Sequence, residues 1–291
     1  MKYGKKYIFA ACAGLLLGMQ SCDLEEYNPA GSTPDNVYKE QSGFEALVNS
    51  AYAFWGGQFY GREDFVLLLN GGGDLWINIA NCGYGRQMSK YEELTSTTGQ
   101  IKNTWNRLYE IINDCNAGLE RIDQVEFKDK NLRDIRFGEL SFMRAYAYWH
   151  LVEIYGNVDL RIKETSAESL SMNCYRSSYE ELYDLMLTDA QNAIDKLPVE
   201  PYPVKEVGRA TLKAAYGLLA RIALTRVAYC DNQTDKDKYY KIAEDAAQYV
   251  IDNQDELKVS LYDTPVEVFD PNNNKINKEA MFVVTHSTEP S

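Results

Sequence analysis

The architecture follows from residues 137–160, which read FGELSFMRAYAYWHLVEIYGNVDL. Apolar and aromatic residues recur there at intervals of three and four positions, the spacing that places side chains on one face of an α-helix. Gly156 comes directly after the last residue of this pattern, and glycine is the residue type that most often ends a helix. The stretch therefore predicts a long, aromatic-rich helix over about residues 132–155.

Five further segments share this periodicity. They lie at residues 41–55, 100–122, 178–197, 210–229 and 236–253. Strand signals are scarce: residues 280–285, AMFVVT, are the best candidate, and residues 64–69 are ambiguous between helix and strand. Helices of about 20 residues that are joined by short turns pack as hairpins. The sequence therefore predicts an all-α fold of tetratricopeptide-like antiparallel helical hairpins, with long loops and minor β structure.

Part of the core packing can also be predicted. Helical spacing places Trp105 on an apolar stripe, and we expect the largest buried aromatic cluster to include Trp105, Tyr146 and Trp149. Cys115 falls among large aliphatic residues at helical spacing and is expected in the core. His150 lies in mid-helix beside Trp149 and is interpreted as a packing or capping group.

Charge and composition exclude several classes of function. The 291 residues include 30 basic and 43 acidic side chains, so the formal net charge is −13. An acidic protein repels phosphate backbones, and we expect no nucleic-acid partner. Two histidines leave little material for a histidine-based metal site or triad, and we find no catalytic motif, metal site or cofactor site. The 22 tyrosines suit binding surfaces as well as cores.

The first residues are typical of a targeting signal. Lysines precede an apolar run of about 13 residues at 7–19, which is too short to span a membrane and fits a signal peptide. Ser21 then precedes Cys22, and this arrangement resembles the lipobox of bacterial lipoproteins. We expect residues 1–21 to be a lipoprotein signal peptide, Cys22 to be the lipid anchor, and residues 22–40 to form a lipidated tether. The alternative is an ordinary signal peptide cleaved near Ser21.

Four cysteines would remain beyond the anchor, and export makes disulfides possible for them. They are Cys82, Cys115, Cys174 and Cys230. No spacing resembles a CxxC pair, and the sequence alone leaves their pairing open.

Residues 56–99 break the helical rhythm, and a loop of this length inside a domain is usually functional. Its NGGG stretch at residues 70–73 lacks the lysine of a phosphate-binding loop and is interpreted as a flexible turn. The loop combines aromatic rings with planar hydrogen-bonding side chains, both of which sugar recognition uses. The candidate ligand-binding residues are Arg62, Asp74, Trp76, Asn81, Tyr84 and Arg86. The alternative is that Trp76 and Tyr84 only pack the loop onto the helices.

Residues 137–160 are similar to the signature helix of the SusD/RagB family of nutrient-binding outer-membrane lipoproteins. The matching positions are Glu139, Arg144, Ala145, Tyr148, Leu151, Tyr155, Gly156 and Leu160, whereas Asp159 stands where the family usually has proline. A second family signature matches residues 208–221, GRATLKAAYGLLAR. Family members are usually much longer. Residues 41–291 therefore resemble the N-terminal helical domain of a member, and we expect the C-terminal half to be missing.

The resemblance implies a surface-exposed lipoprotein, held in the outer membrane by its acyl chains and facing the cell exterior. Such a protein captures oligosaccharide and delivers it to a SusC-type TonB-dependent transporter, and it is not an enzyme. The resemblance also places Asp74 and Trp76 at the ligand surface of glycan-binding members. The alternatives are a RagB-like peptide-binding lid of the same kind of transporter and, less favoured, a surface glycoside hydrolase with paired carboxylates.

The polar residues of the two signatures are interpreted as scaffold. We expect Glu139 and Arg144 to form ion pairs or hydrogen bonds to neighbouring hairpins. Arg209 and Thr211 are expected to make capping and inter-helix contacts, since threonine is a good N-cap residue.

Replacing Cys22 tests the anchor. Cys22→Ala removes the thiol that would carry the acyl chains, and we expect the protein to move from the membrane fraction to the soluble periplasmic fraction. Fractionation followed by immunoblotting measures the shift, and Cys12→Ala is the matched control. Unchanged membrane association of Cys22→Ala would contradict the lipoprotein assignment.

Overall fold

A computed structural model describes residues 34–56, 71–73, 83–166, 174–204 and 206–285. The chain divides into two units, residues 1–36 and 37–291. Of the first unit, only the opening residues of helix α1 (Pro34–Lys39) are described.

The long helices of the second unit follow the predicted order. They are α2 (Gln41–Ala53), α4 (Gly99–Arg121), α5 (Lys130–Tyr155), α6 (Tyr179–Lys196), α7 (Leu212–Arg226) and α8 (Gln233–Asp252). Shorter helices are α3 (Gly83–Lys90), α9 (Gln254–Leu257) and α10 (Pro265–Val268), with 3₁₀ turns at Ile122–Gln124, Val227–Tyr229 and Pro271–Ile276. The sequence analysis placed α1 in the tether and α3 in the long loop, so it missed both.

Side-chain contacts show that α4, α5 and α6 run antiparallel. The Tyr155 hydroxyl at the end of α5 donates to the Ile101 carbonyl near the start of α4, at 2.7 Å. The Tyr183 hydroxyl near the start of α6 donates to Glu153 near the end of α5, at 3.2 Å. Gly138, in the first half of α5, faces Leu197 just beyond the end of α6. Each helix thus turns back along the one before it.

The same alternation continues through α7 and α8. Tyr183 contacts Thr225 at the end of α7, and the rings of Tyr216 and Tyr249 stack 4.0 Å apart between α7 and α8. Among the residues described for α8, Tyr239 and Ala246 are the buried ones. Successive helices pack side by side in this way, which confirms the all-α, tetratricopeptide-like architecture.

Close packing of α4 on α5 depends on a glycine. A Cβ atom at Gly118 would lie 2.6 Å from Cδ1 of Leu140, whose side chain is fully buried. Any larger residue at position 118 would force the buried Leu140 side chain to shift. Cys115, one turn earlier on α4, is also fully buried and confirms its predicted place in the core.

The aromatic core was predicted in part. Trp55 is 1% exposed and stacks on Tyr146 at 4.8 Å, and Tyr146 stacks on Trp149 at 6.1 Å. His150 packs among these three rings, as expected, and burial lowers its pKa to about 3.

The predicted place of Trp105 in this cluster was wrong. Trp105 packs instead on Tyr109 and Tyr155, at 5.0 and 5.1 Å between ring centroids. The antiparallel pairing explains the difference, because the start of α4 meets the end of α5 rather than its middle.

The predicted strand at residues 280–285 is not formed, and the described part of the chain contains no strand. Phe282 lies edge-on against Phe142 at 5.0 Å, and Met281 packs beside Gly217 of α7. The apolar residues of this segment therefore pack against helices and not against another strand, a difference that the apolar pattern alone does not show.

A buried ion pair joins α4, α5 and α6. Arg144 donates from Nε and Nη2 to the two oxygens of Asp189, at 2.7 and 2.9 Å, and from Nη1 to the Asn116 side chain at 2.9 Å. The Asn116 amide in turn donates to the carbonyls of Arg161 and Lys163. Asp189 is 1% exposed, so the network lies inside the protein.

A second buried network centres on Glu139, which is fully buried. Its Oε2 accepts from Arg136 at 2.8 Å and from Arg209 at 3.3 Å, while Arg136 also binds Glu45 on α2 and Arg209 binds Asn49 on α2. Burial raises the pKa of Glu139 to about 7, against the lowering effect of the two guanidinium groups.

These contacts agree with the interpretation of the signature residues as scaffold. Thr211 occupies the N-cap position of α7, although its side chain makes no capping hydrogen bond there. The prediction of Thr211 as a side-chain cap was therefore wrong, whereas the ion pairs of Glu139 and Arg144 and the inter-helix contacts of Arg209 are found as expected.

Breaking the first network should cost much of the stability. Arg144→Met leaves Asp189 as an unpaired buried charge, and we expect the free energy of unfolding to fall by about 3–5 kcal/mol. Urea denaturation followed by circular dichroism measures this loss. Arg107→Met removes the more exposed ion pair to Glu110 and serves as the control, with a change below about 1 kcal/mol.

The double variant Arg144→Met/Asp189→Leu should recover most of that loss, because no charge is left unpaired. A single variant as stable as the wild type would contradict the role assigned to the pair.

Glu139 should make stability depend on pH. In the unfolded chain its pKa is near 4.5, and in the folded chain it is about 7. Between these values the folded state holds a proton that the unfolded state releases, so this group lowers stability as pH rises from about 5 to 7.5. In Glu139→Gln this contribution is absent, and the stability of the variant relative to wild type should rise over that range.

Urea denaturation at several pH values measures the difference in free energy of unfolding between Glu139→Gln and wild type. The other titrating groups are the same in both proteins, so their contributions cancel in this difference. Glu110→Gln, on the half-exposed face of α4, is the control. A difference between Glu139→Gln and wild type that stays constant with pH would contradict the raised pKa.

Candidate functional site

The structure reaches only part of the predicted ligand-binding loop. Arg62, Asp74, Trp76 and Asn81 lie outside the described residues, as do the ambiguous residues 64–69. Tyr84 falls within α3, but its side chain is not among those described. Arg86, also on α3, is described in full. The described part of the candidate site comprises residues 71–73 and 83–98.

Helix α3 is a short amphipathic helix where the sequence analysis expected a loop. Its sequence GYGRQMSK holds two glycines and several polar residues, a composition of low helix propensity. Met88 is 4% exposed and anchors the helix to the protein, while Arg86 faces solvent. Tertiary packing through one buried side chain thus stabilises a helix that local propensity does not predict.

Arg86 forms an exposed ion pair just beyond the end of this helix. Its Nε and Nη2 donate to one oxygen of Glu92, at 3.3 and 2.9 Å. The hydrogen bonds and charge of Arg86 lower the pKa of Glu92, and the pKa of Arg86 is raised in return. Next to this pair, the Gln87 amide donates to the Glu93 carbonyl at 3.3 Å. The chain therefore folds back against the face of α3 that carries Arg86.

Tyr91 connects this turn to the glycine-rich stretch. Its hydroxyl donates to the Gly72 carbonyl at 2.8 Å, while the residue stays 64% exposed. A Cβ atom at position 72 would lie 2.5 Å from that hydroxyl oxygen, so a larger residue there would displace the Tyr91 hydroxyl from its present position. The interpretation of residues 70–73 as a flexible turn omitted this role.

The backbone of the turn is strained. Tyr91 and Glu93 have φ angles of 56° and 57°, in the left-handed region that residues other than glycine and asparagine rarely adopt. Each such residue costs on the order of 1–3 kcal/mol, and such residues cluster at binding and active sites.

We call Gly72, Arg86, Tyr91 and Glu92 the Tyr91 surface. These residues combine an aromatic ring with a planar cation and a carboxylate, residue types that provide both an apolar face and directional hydrogen bonds. Sequence reasoning found Arg86 but missed Tyr91 and Glu92. The available signal was the aromatic residue of KYEEL at positions 90–94, immediately after the polar helix.

The described residues include no group of three or more histidine, cysteine, aspartate or glutamate side chains placed to hold a metal ion. Within the same residues, no helix has both the length and the apolar character needed to cross a membrane. The described cysteines, Cys115, Cys174 and Cys230, are free thiols, and Cys82 lies outside the described residues.

Known proteins resemble the chain in sequence and in fold. The sequence profile of a SusD-like family, described as starch-binding associating with outer membrane, matches residues 75–224, just over half of the chain. SusD-like protein P2 of Formosa agariphila is 28% identical over 285 residues, which are 94% of this chain and 51% of that protein. The chain therefore spans about half the length of this relative.

Solved structures agree with the fold. NanU of B. fragilis matches with a TM-score of 0.72 and 20% identity, over 90% of this chain and 51% of that one. A laminarin-binding SusD-like protein matches with a TM-score of 0.68 and 20% identity, over 84% of this chain and 51% of that one. The profile match, which spans both signature segments and just over half of the chain, shows that the chain belongs to the SusD/RagB family.

Proposed function

We propose that the chain is the glycan-binding helical half of a surface-exposed outer-membrane lipoprotein. In this proposal it captures oligosaccharide and delivers it to a SusC-type TonB-dependent transporter. The observation that carries the proposal is membership of a family described as starch-binding and associating with the outer membrane. The laminarin-binding relative of the same fold supports a carbohydrate as the ligand.

The proposed ligand contacts come from residues 62–86, the segment that leads into α3 and includes its first residues. Trp76 would stack on the apolar face of a sugar ring. Asp74, Asn81, Arg62 and Arg86 would bind ring hydroxyls through planar polar groups. Of these residues Arg86 has a described side chain, and it is exposed and fixed by Glu92 as such a role requires.

The anchor completes the proposal. Acyl chains on Cys22 would hold the protein at the outer membrane, facing the cell exterior. A covalent anchor suits this chain because its net charge of −13 gives no attraction to anionic lipid headgroups. Residues 22–40 would then act as the tether between lipid and helices.

Binding measurements test the ligand class. The purified chain is titrated by calorimetry with maltoheptaose, laminarin oligosaccharides and a set of random peptides. We expect binding of at least one oligosaccharide, and Trp76→Ala should weaken it by about 2 kcal/mol, roughly thirtyfold. Phe269→Ala, which truncates an aromatic side chain that is 80% exposed, is the matched control and should bind as wild type does.

The other outcomes separate the alternatives. Binding of peptide without any binding of oligosaccharide would favour the RagB-like reading and contradict the glycan assignment. Release of shorter sugars during incubation, followed by chromatography, would show a glycoside hydrolase. Wild-type affinity in both Trp76→Ala and Tyr84→Ala would remove the loop from the ligand surface.

A further inference from the structure

Tyr91 stands where a helix normally ends in glycine. It directly follows Lys90, the last residue of α3, and has a φ angle of 56°. Left-handed residues at this position are usually glycine or asparagine, because a side chain there clashes with the backbone. The chain instead carries a bulky aromatic residue, at a cost in backbone strain.

Burial does not offset this strain. Tyr91 is 64% exposed, so little of its apolar surface is removed from water. Its hydroxyl is nevertheless held by the Gly72 carbonyl at 2.8 Å, which fixes both ends of the side chain. The result is an aromatic ring of defined orientation with much of its surface in solvent, which is the preorganised state that a stacking ligand requires.

Polar groups suited to the hydroxyls of such a ligand occur in the same turn. Glu92 follows Tyr91 in the chain, and its carboxylate is oriented by two hydrogen bonds from Arg86. Both side chains are more than half exposed. Each has planar donor or acceptor geometry that matches neighbouring hydroxyl groups on a ring.

We propose that the Tyr91 surface is a carbohydrate-binding subsite, in which the Tyr91 ring stacks on the apolar face of a sugar. Arg86 and Glu92 bind the hydroxyl groups at the edge of that sugar. The Gly72 carbonyl holds the Tyr91 ring in place by accepting a hydrogen bond from its hydroxyl. This inference rests on the proposed function, because it takes oligosaccharide as the ligand.

Substitutions at position 91 separate stacking from stability. Tyr91→Gly removes the ring but suits the left-handed backbone, so its thermal stability should equal or exceed that of wild type. Its affinity for the oligosaccharide that wild type binds should fall about tenfold or more. Tyr91→Phe keeps the ring and loses the contact to Gly72, and should weaken binding only about two- to threefold.

Gly72→Ala tests the hydrogen bond between Tyr91 and Gly72 by changing its acceptor residue. Its Cβ displaces the Tyr91 hydroxyl, and we expect a loss of affinity between those of the two Tyr91 variants. Tyr175→Ala truncates another tyrosine that is 63% exposed and is the matched control, with unchanged affinity. Calorimetry with the same maltoheptaose and laminarin oligosaccharides gives the affinities, and thermal melts followed by circular dichroism give the stabilities.

The outcomes distinguish this inference from the proposed function. If wild type binds an oligosaccharide and Tyr91→Gly binds it equally well, the subsite is overturned while the proposed function stands. If wild type binds no oligosaccharide, both are overturned. If Tyr91→Gly is strongly destabilised, Tyr91 has a structural role and the subsite is likewise rejected.

Discussion

The bidentate pair between Arg144 and Asp189 is the interaction that aligns the helical stack. It lies where α4, α5 and α6 meet, and both charges are shielded from water. A buried charge is tolerated only when its partners are complete, so the three helices can be assembled in just the register that brings Arg144, Asp189 and Asn116 together. Because Asn116 also binds the carbonyls of Arg161 and Lys163, the same constraint fixes the chain that leaves α5.

The sequence predicted the long helices because their apolar residues recur with the period of the helix and because that period is a local property. Contacts between helices were harder to predict from the sequence. Trp105 and Trp149 both lie on apolar faces, yet the antiparallel arrangement separates them into two aromatic groups. Residues 280–285 form a short apolar run typical of a strand, but the partner that packs on Phe282 is helix α5 rather than another strand.

The candidate site was harder to predict for a related reason. Arg86 could be chosen from its type and its place in a polar loop, and the structure shows it exposed and paired with Glu92. Tyr91 could not be chosen in this way, because the fixed orientation of its ring depends on a hydrogen bond to Gly72, 19 residues earlier in the chain. Local sequence shows an ordinary tyrosine and an ordinary glycine. Only the fold shows that the absence of a side chain at Gly72 leaves room for the Tyr91 hydroxyl, which is held in one orientation there.

Helix α8 buries few side chains, and this makes it the part of the helical stack that can unfold locally. Its buried residues among those described are Tyr239 and Ala246, whereas α5 in the middle of the stack buries residues along its whole length. In a stacked-hairpin fold each helix depends mainly on its immediate neighbours. Helix α8 can therefore detach from α7 while the network around Arg144 stays intact. Its amide hydrogens would exchange with solvent through this local opening, well before those of α5, which require global unfolding.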